Sequence, residues 1–246
     1  TKDDTDGLEL NWGNHEAIVK LVEKIGMREG VGETLSEGVK RASEKIGKGS
    51  EEFAMHVKGL ETPMHEPKGY KGLGLGYATS NRGACHLRPA PQLVEMMGQA
   101  RPELGFDKVG GQFEVEGKGR MIKGLQDFKT VVDSLVMCAF VYDMYAYLPG
   151  ELAKMVTAAT GYDFEIGELV KIGERIFNLK RLFSVREGLS RKDDTLPKRF
   201  LEEKHTKGPC AGQVVELEPM LNEYYAARGW NEEGVPTKEK ISELEL

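Results

Sequence analysis

Arg120-Met-Ile-Lys-Gly-Leu-Gln-Asp-Phe-Lys-Thr-Val-Val-Asp-Ser-Leu135 is the stretch whose pattern decides the fold class. Met121, Ile122, Leu125, Phe128, Val131, Val132 and Leu135 recur at helical spacing, so this segment is a long helix with an apolar face that other elements must cover. Asp133 sits inside that run, and a carboxylate there needs cations or N–H donors. Five residues on lies Cys138, which by itself reads more simply as a small buried hydrophobe than as a metal ligand, because one thiol cannot hold a cluster. The run 135–148 is almost wholly apolar and reads as buried all round.

Working outward, the same periodicity recurs. Asn14 caps a helix in which Ala17, Ile18, Leu21, Val22 and Ile25 share a face, with Gly26 near its end. A second helix starts near Glu33, with Leu35, Val39, Ala42 and Ile46 inward and Gly47 as its stop. Ordinary amphipathic packing accounts for both. Pro149 opens a helix over 151–160 that Gly161 ends. Asp163 caps the longest helix, 165–187, whose stripe is Ile166, Leu169, Val170, Ile172, Ile176, Phe177, Leu179, Leu182 and Phe183. Short helices follow at 219–228 and 238–244. The best of the few strand signals is Val214-Val215-Glu216-Leu217. The fold class is therefore mainly α, with few or no strands and no repeats. A soft boundary in the glycine-rich loop near 100–118, which has room for a short hairpin, separates a helical domain 1–110 from a second, 111–246.

The totals set limits. With 246 residues, 39% of them hydrophobic, a real core is available for one or two domains. A net charge of −6 argues against nucleic acid as a partner, and no apolar run is long enough to cross a bilayer. Three scattered cysteines make no disulfide framework, which fits a reducing, cytoplasmic setting. The five histidines show no HxxxH or HExxH spacing, so any metal would take only part of its ligand set from here. The opening Thr1-Lys-Asp-Asp has neither an initiator methionine nor a signal segment, and the chain is expected to begin inside a longer product.

Between Gly59 and Arg88 the texture changes, with Pro63, Pro67 and clustered glycines breaking regular structure. Gly72-Leu-Gly-Leu-Gly76 lacks the spacing and βαβ context of a dinucleotide fingerprint, and close backbone packing explains it better. The twelve residues Tyr77-Ala-Thr-Ser-Asn-Arg-Gly-Ala-Cys-His-Leu-Arg88 read as a loop. Arg82 and Arg88 can make forked bonds to phosphate or carboxylate oxygens. His86 beside them is kept neutral by those cations and can move a proton. A surface loop whose arginines pair with acidic residues elsewhere explains the composition equally well.

Four blocks together carry a resemblance: Phe53-Ala-Met-His-Val-Lys-Gly-Leu-Glu61, Tyr77-Ala-Thr-Ser-Asn-Arg-Gly-Ala-Cys-His86, Lys171-Ile-Gly-Glu-Arg-Ile176 and Asp193-Asp-Thr-Leu-Pro-Lys-Arg-Phe200. In this order they resemble the C-terminal part of the aldehyde:ferredoxin oxidoreductase family, tungsten- or molybdenum-pterin enzymes, from about residue 7 to the end. The resemblance implies two helical domains packed over the cofactor. It implies that Asp133 bonds the pterin amino groups and that Cys138 is the last ligand of a [4Fe–4S] cluster. Met137 takes the cofactor-side position before that cysteine, though the family's usual Gly-Leu here reads Val136-Met137. Arg82 and Arg88 match pterin- or phosphate-contacting positions, His86 matches the histidine beside metal and substrate, and Cys85 has no assigned role. The family's β-rich N-terminal domain, three-cysteine motif, first pterin motif and catalytic glutamate are not in this chain. The activity that the resemblance implies is oxidation of an aldehyde to a carboxylic acid at a tungsten- or molybdenum-bis(pterin) centre. The partners it implies are ferredoxin, the N-terminal domain of the same protein and a second copy. The chain alone is expected to be inactive. Rival expectations are a non-catalytic helical module, or a relative acting on sugar-phosphate aldehydes or aromatic acids.

Overall fold

The structure, a computed structural model, describes residues 2–140 and 148–246. Its elements are α1 (His15–Met27), α2 (Val31–Leu35), α3 (Gly38–Ile46), β1 (His56–Val57), β2 (Leu60–Glu61), α4 (Lys71–Thr79), α5 (Gln92–Met97), α6 (Lys118–Ser134), α7 (Pro149–Thr160), α8 (Ile166–Arg186), α9 (Lys198–Leu201), α10 (Leu217–Arg228) and α11 (Lys238–Glu243). Among the described residues the only sheet is the antiparallel hairpin β1–β2, in which His56 pairs with Glu61 and Val57 with Leu60. The mainly α reading is borne out.

Helix α6 is the axis of the molecule. Met121, Ile122, Leu125, Phe128 and Val132 on it are fully buried, and each such side chain stabilises the fold by about 1.5–3 kcal/mol. Helices α4, α8 and α10 pack around it. At the crossing with α8 the approach is so close that a Cβ on Gly173 would collide with the Asp127 carbonyl oxygen. One continuous apolar core runs from Val57 through α4, α6 and α8 to Trp230.

Several local readings hold. The Asn14 side chain accepts from the Ala17 N–H, Pro149 opens α7, and Gly161 ends it at φ +76°. Between 100 and 118 a 3-10 turn, Pro102–Leu104, is closed by an antiparallel bridge between Arg101 and Phe106.

Others are corrected. The helix expected from Glu33 is two helices, split before Gly38 at φ +84°. The cap of α8 is Glu165 rather than Asp163, and its capping box with Glu168 satisfies backbone N–H groups in both directions. Val214–Leu217 is not a strand: Val215 bonds its N–H to the Phe200 carbonyl and Leu217 opens α10. Tyr77, Ala78 and Thr79 are no loop but the buried last turn of α4.

Two burial expectations also change. Ile18 and Val22 on α1 are 52% and 63% exposed, so that helix is not packed on its apolar stripe. In the run 135–148, Leu135, Val136, Phe140 and Leu148 are exposed rather than buried, and 141–147 lie outside the described residues. Helix α8 differs most from its reading. Leu169 and Phe177 are buried as expected, but Leu179 and Phe183 face outward, and Glu174, Asn178 and Arg181 are buried instead.

The inward polar face of α8 is stable because every group on it has a partner. Arg181 grips Asp194 with both Nη atoms, at 3.0 and 2.7 Å, and donates Nε–H to the Gly234 carbonyl. Tyr225 donates its hydroxyl to Asp194, and Lys58 pairs with the same carboxylate at 2.7 Å. Asn178 accepts from the Trp230 indole at 2.7 Å. Burial works against ionised Asp194, yet Lys58 and Arg181 more than offset it and hold its pKa below the usual carboxylate range. A second buried pair, Arg228 with Asp127, ties α10 to α6.

Candidate functional site

The loop that follows α4 is held at both ends. At its start Lys58 donates to the Ala78 carbonyl and, at 3.3 Å, to the Ser80 carbonyl. Gly83, at φ +102°, lies against the hairpin so closely that a Cβ would collide with the Val57 carbonyl oxygen, so only glycine fits there. At its end Gln126 of α6 donates to the Thr79 hydroxyl at 3.1 Å and to the Arg88 carbonyl at 3.4 Å.

Arg88 turns onto α6 and pairs with Asp133 at 3.1 Å. Lys129, one turn earlier on α6, pairs with the same carboxylate. Of the site residues expected from sequence, these two, Arg88 and Asp133, are brought together. They line a narrow cleft with Asn81, Lys129, Phe177 and Lys180. Three cations thus surround one carboxylate. Burial, then the charges of Arg88 and Lys129, lower the Lys180 pKa from its ordinary value, against the pull of Asp133.

Arg82, His86, Met137 and Cys138 do not line that cleft. Arg82 is exposed. His86 stacks on His65, with ring centroids 4.6 Å apart and planes inclined by 24°. Partial burial, then His65 and Arg82, hold its pKa below the ordinary histidine value, so the imidazole is neutral near pH 7. Cys85, its neighbour, is buried.

The end of α6 shapes the approach to Cys138. Leu135 caps the helix, the Val136 N–H bonds the Asp133 carbonyl at 3.1 Å, and the Met137 N–H bonds the Val132 carbonyl at 3.2 Å. This is the Schellman arrangement, which normally has glycine at the position of Val136. Val136 is left-handed here at φ +56°, with its side chain 92% exposed. Met137 packs against the core, and Cys138 is a free, exposed thiol. Among the described residues no group of three or more His, Cys, Asp and Glu side chains could hold a metal ion, and no helix is long and apolar enough to cross a membrane.

Sequence reasoning missed Asn81, Lys129, Lys180 and His65. Lys129 had a visible signal, since it lies four residues before Asp133 on one helix face. Lys180 and His65 reach their places only through tertiary packing.

The helical scaffold thus carries a cation-ringed carboxylate at one helix end and an exposed thiol just beyond it. The family description "Aldehyde ferredoxin oxidoreductase, domains 2 & 3" matches residues 1–246, and the chain belongs to this family. It is 41% identical over 236 residues to the tungsten-containing aldehyde ferredoxin oxidoreductase of Pyrococcus furiosus, covering 96% of this chain and 37% of that protein. The Thermococcus kodakarensis protein of the same name is 40% identical with the same coverage. A Pyrococcus furiosus aliphatic sulfonate oxidoreductase, WOR-like subunit, is 31% identical over 99% of this chain and 36% of its own length. The chain therefore spans little more than a third of these relatives. In fold it matches the active-site complex BamBC of benzoyl coenzyme A reductase, with a TM-score of 0.68 at 23% identity, over 100% of this chain and 41% of that one.

Proposed function

We propose that this chain is the part of a ferredoxin-linked aldehyde oxidoreductase that holds one edge of a tungsten-pterin cofactor. Asp133 is the carboxylate that accepts the pterin N–H groups, Cys138 one ligand of a [4Fe–4S] cluster, and His86 the group at the substrate oxygen. Arg82 and Met137 contact the cofactor from the loop and from the turn after α6. The observation that carries the reading is the Arg88–Asp133–Lys129 cluster, placed one helix turn before an exposed Cys138.

The residues fit the group. Arg88, Lys129 and the partly exposed Asp133 present charged donors and an acceptor side by side at the end of α6. That donor and acceptor set suits a heterocycle carrying amino and carbonyl groups side by side. When bound, the tungsten-pterin supplies the two-electron oxidation of an aldehyde to a carboxylic acid, the electrons leaving through the cluster to ferredoxin. The work of this chain is placement and charge. Arg88 and Lys129 pair with Asp133 and aim its carboxylate. Neutral His86, braced by His65, can donate a hydrogen bond to an aldehyde oxygen or accept a proton from its hydrate. The tungsten in the relatives' names favours tungsten over molybdenum.

A test uses the full-length protein. His86→Ala is expected to cut turnover while tungsten and iron contents stay unchanged, and unchanged turnover would remove His86 from the mechanism. Cys138→Ala is expected to lower iron. The similarity to a sulfonate oxidoreductase subunit favours a second reading, in which the same scaffold serves a sulfonate substrate. Comparing turnover of aldehydes and alkyl sulfonates decides between them. A colourless, metal-free full-length protein would leave a purely structural module.

A further inference from the structure

A half-open cavity of about 450 Å³ lies between the segment leading into α4 and the turn Pro209–Cys210. Cavities of this size take small molecules. Met64, Tyr70, Leu73 and Pro209 give it apolar walls, and Gln92 of α5 and Gln112 of the 100–118 loop add two amides. The Lys71 N–H, bonded to the Gln112 carbonyl at 3.0 Å, fixes that loop against α4. Neither glutamine side chain makes a hydrogen bond among the described residues. His65 lines the cavity too, and its ring stacks on that of His86. The cavity therefore reaches within one stacked ring of the group proposed above for the substrate oxygen. Among the described residues lining it, Glu66 alone carries a fixed charge, and it is engaged: Oε1 accepts the Lys68 N–H and Oε2 meets His205 at 2.9 Å. The ammonium groups of Lys68 and Lys71 are spent on the Glu203 and Val214 carbonyls. An anion placed here would lose its water beside a carboxylate, with no cation to meet it.

We propose that this cavity receives the substituent of the substrate, and that Gln92 and Gln112 select an uncharged substituent able to form hydrogen bonds. The inference rests on the reading of His86 as the group at the substrate oxygen, and deepens it from a reaction to a class of substrate. Each amide offers a donor and an acceptor, and a ligand lacking the matching group leaves them unpaired, which is how such sites discriminate. A substrate carrying a phosphate or sulfonate is disfavoured by the same charges. The outer wall is able to yield and admit a ligand. No residue between 202 and 214 is buried, and the segment is tied back by the His205–Glu66 and Lys68–Glu203 contacts rather than by core packing, the pattern of a segment that opens locally.

The experiment uses this 246-residue chain and two probes of one shape, neutral benzamide and anionic benzoate. Each is titrated in mildly alkaline buffer while NMR follows the ring signals of His65. Benzamide is expected to shift those signals saturably, and benzoate to bind at least about tenfold more weakly. Gln92→Leu and Gln112→Leu should each weaken benzamide about three- to tenfold. Cys210→Trp, which sets a large ring in the cavity from an exposed segment, should abolish its binding. Equal affinity for the two probes, benzamide shifts that do not saturate, or wild-type affinity in either glutamine variant overturns the proposal. So does wild-type affinity in Cys210→Trp. Unchanged turnover of full-length His86→Ala alongside normal benzamide binding is a different result: it would refute the reading of His86, leaving a cavity that binds a ligand without serving the reaction.

Discussion

Val136→Gly is expected to stabilise the protein although it removes three heavy atoms. Val136 occupies the glycine position of the turn that ends α6, at φ +56°. The left-handed conformation costs an L-residue about 1–2 kcal/mol, and a β-branched side chain is among the poorest occupants. Little packing is lost on truncation, since the side chain is 92% exposed. Glycine's extra freedom in the unfolded chain returns about 0.5–1 kcal/mol of that gain. The net is roughly 0.5–1 kcal/mol of added stability, a rise in Tm of roughly 1–4 °C. Calorimetry on this 246-residue chain reads the global effect. Amide exchange of Met137, bonded to the Val132 carbonyl, reads the local one. Val136→Ala keeps a Cβ in the same conformation and should gain less. A Tm that falls in Val136→Gly, or Met137 exchange that quickens, would show that Val136 holds the turn by contacts rather than straining it.

The packing sets three further outcomes. Asp194→Asn strands Lys58 and Arg181 in the interior, and breaking such a buried pair costs about 3–5 kcal/mol, so Tm is expected to drop by roughly 6–20 °C; a drop under about 2 °C would mean the carboxylate matters little. Two alanine substitutions on α8 should have opposite signs. Gly167→Ala, with nothing near its Cβ, should stabilise by about 0.5–1 kcal/mol, whereas Gly173→Ala meets the Asp127 carbonyl and should cost about 1–3 kcal/mol; equal denaturation midpoints would refute the tight α6–α8 crossing. His86 should titrate below the ordinary value of 6.5. Because the unfolded chain takes up that proton first, stability attributable to this group declines as pH falls from near 6.5 through the folded pKa. His65→Phe should raise the pKa seen by NMR, and no change would deny the coupling of the stacked pair.

The apolar spacing of α6 was legible because nothing but a helix puts Met121, Leu125, Phe128 and Val132 on one face. The Asn14 cap and the Pro149 start were legible for equally local reasons. Helix α4 was not, because three of its residues, Gly72, Gly74 and Gly76, look like breakers. A Cβ at each would press respectively on Met121, Val215 and Pro89, so these glycines mark close packing against neighbours remote in the chain. The inward face of α8 was illegible for a related reason. Arg181 and Asn178 are tolerable inside only because Asp194, Gly234 and Trp230 come back to meet them. Hydropathy periodicity carries no information about such distant partners, and so it favoured Leu179 and Phe183. The Arg88–Asp133 meeting was anticipated in part, since both were singled out as cofactor-side residues. Asn81 and Lys180 were not, because only tertiary packing brings them to the same cleft.

The Lys58 ammonium joins the hairpin, the final turn of α4 and Asp194 near the chain's far end. Those attachment points fall in three of the four blocks by which the family is recognised, and Gly173 of the remaining block seats α8 against α6. The signature of kinship is therefore largely a system of fasteners. A lineage built on this frame can trade one substrate for another at its loops and keep its family likeness intact.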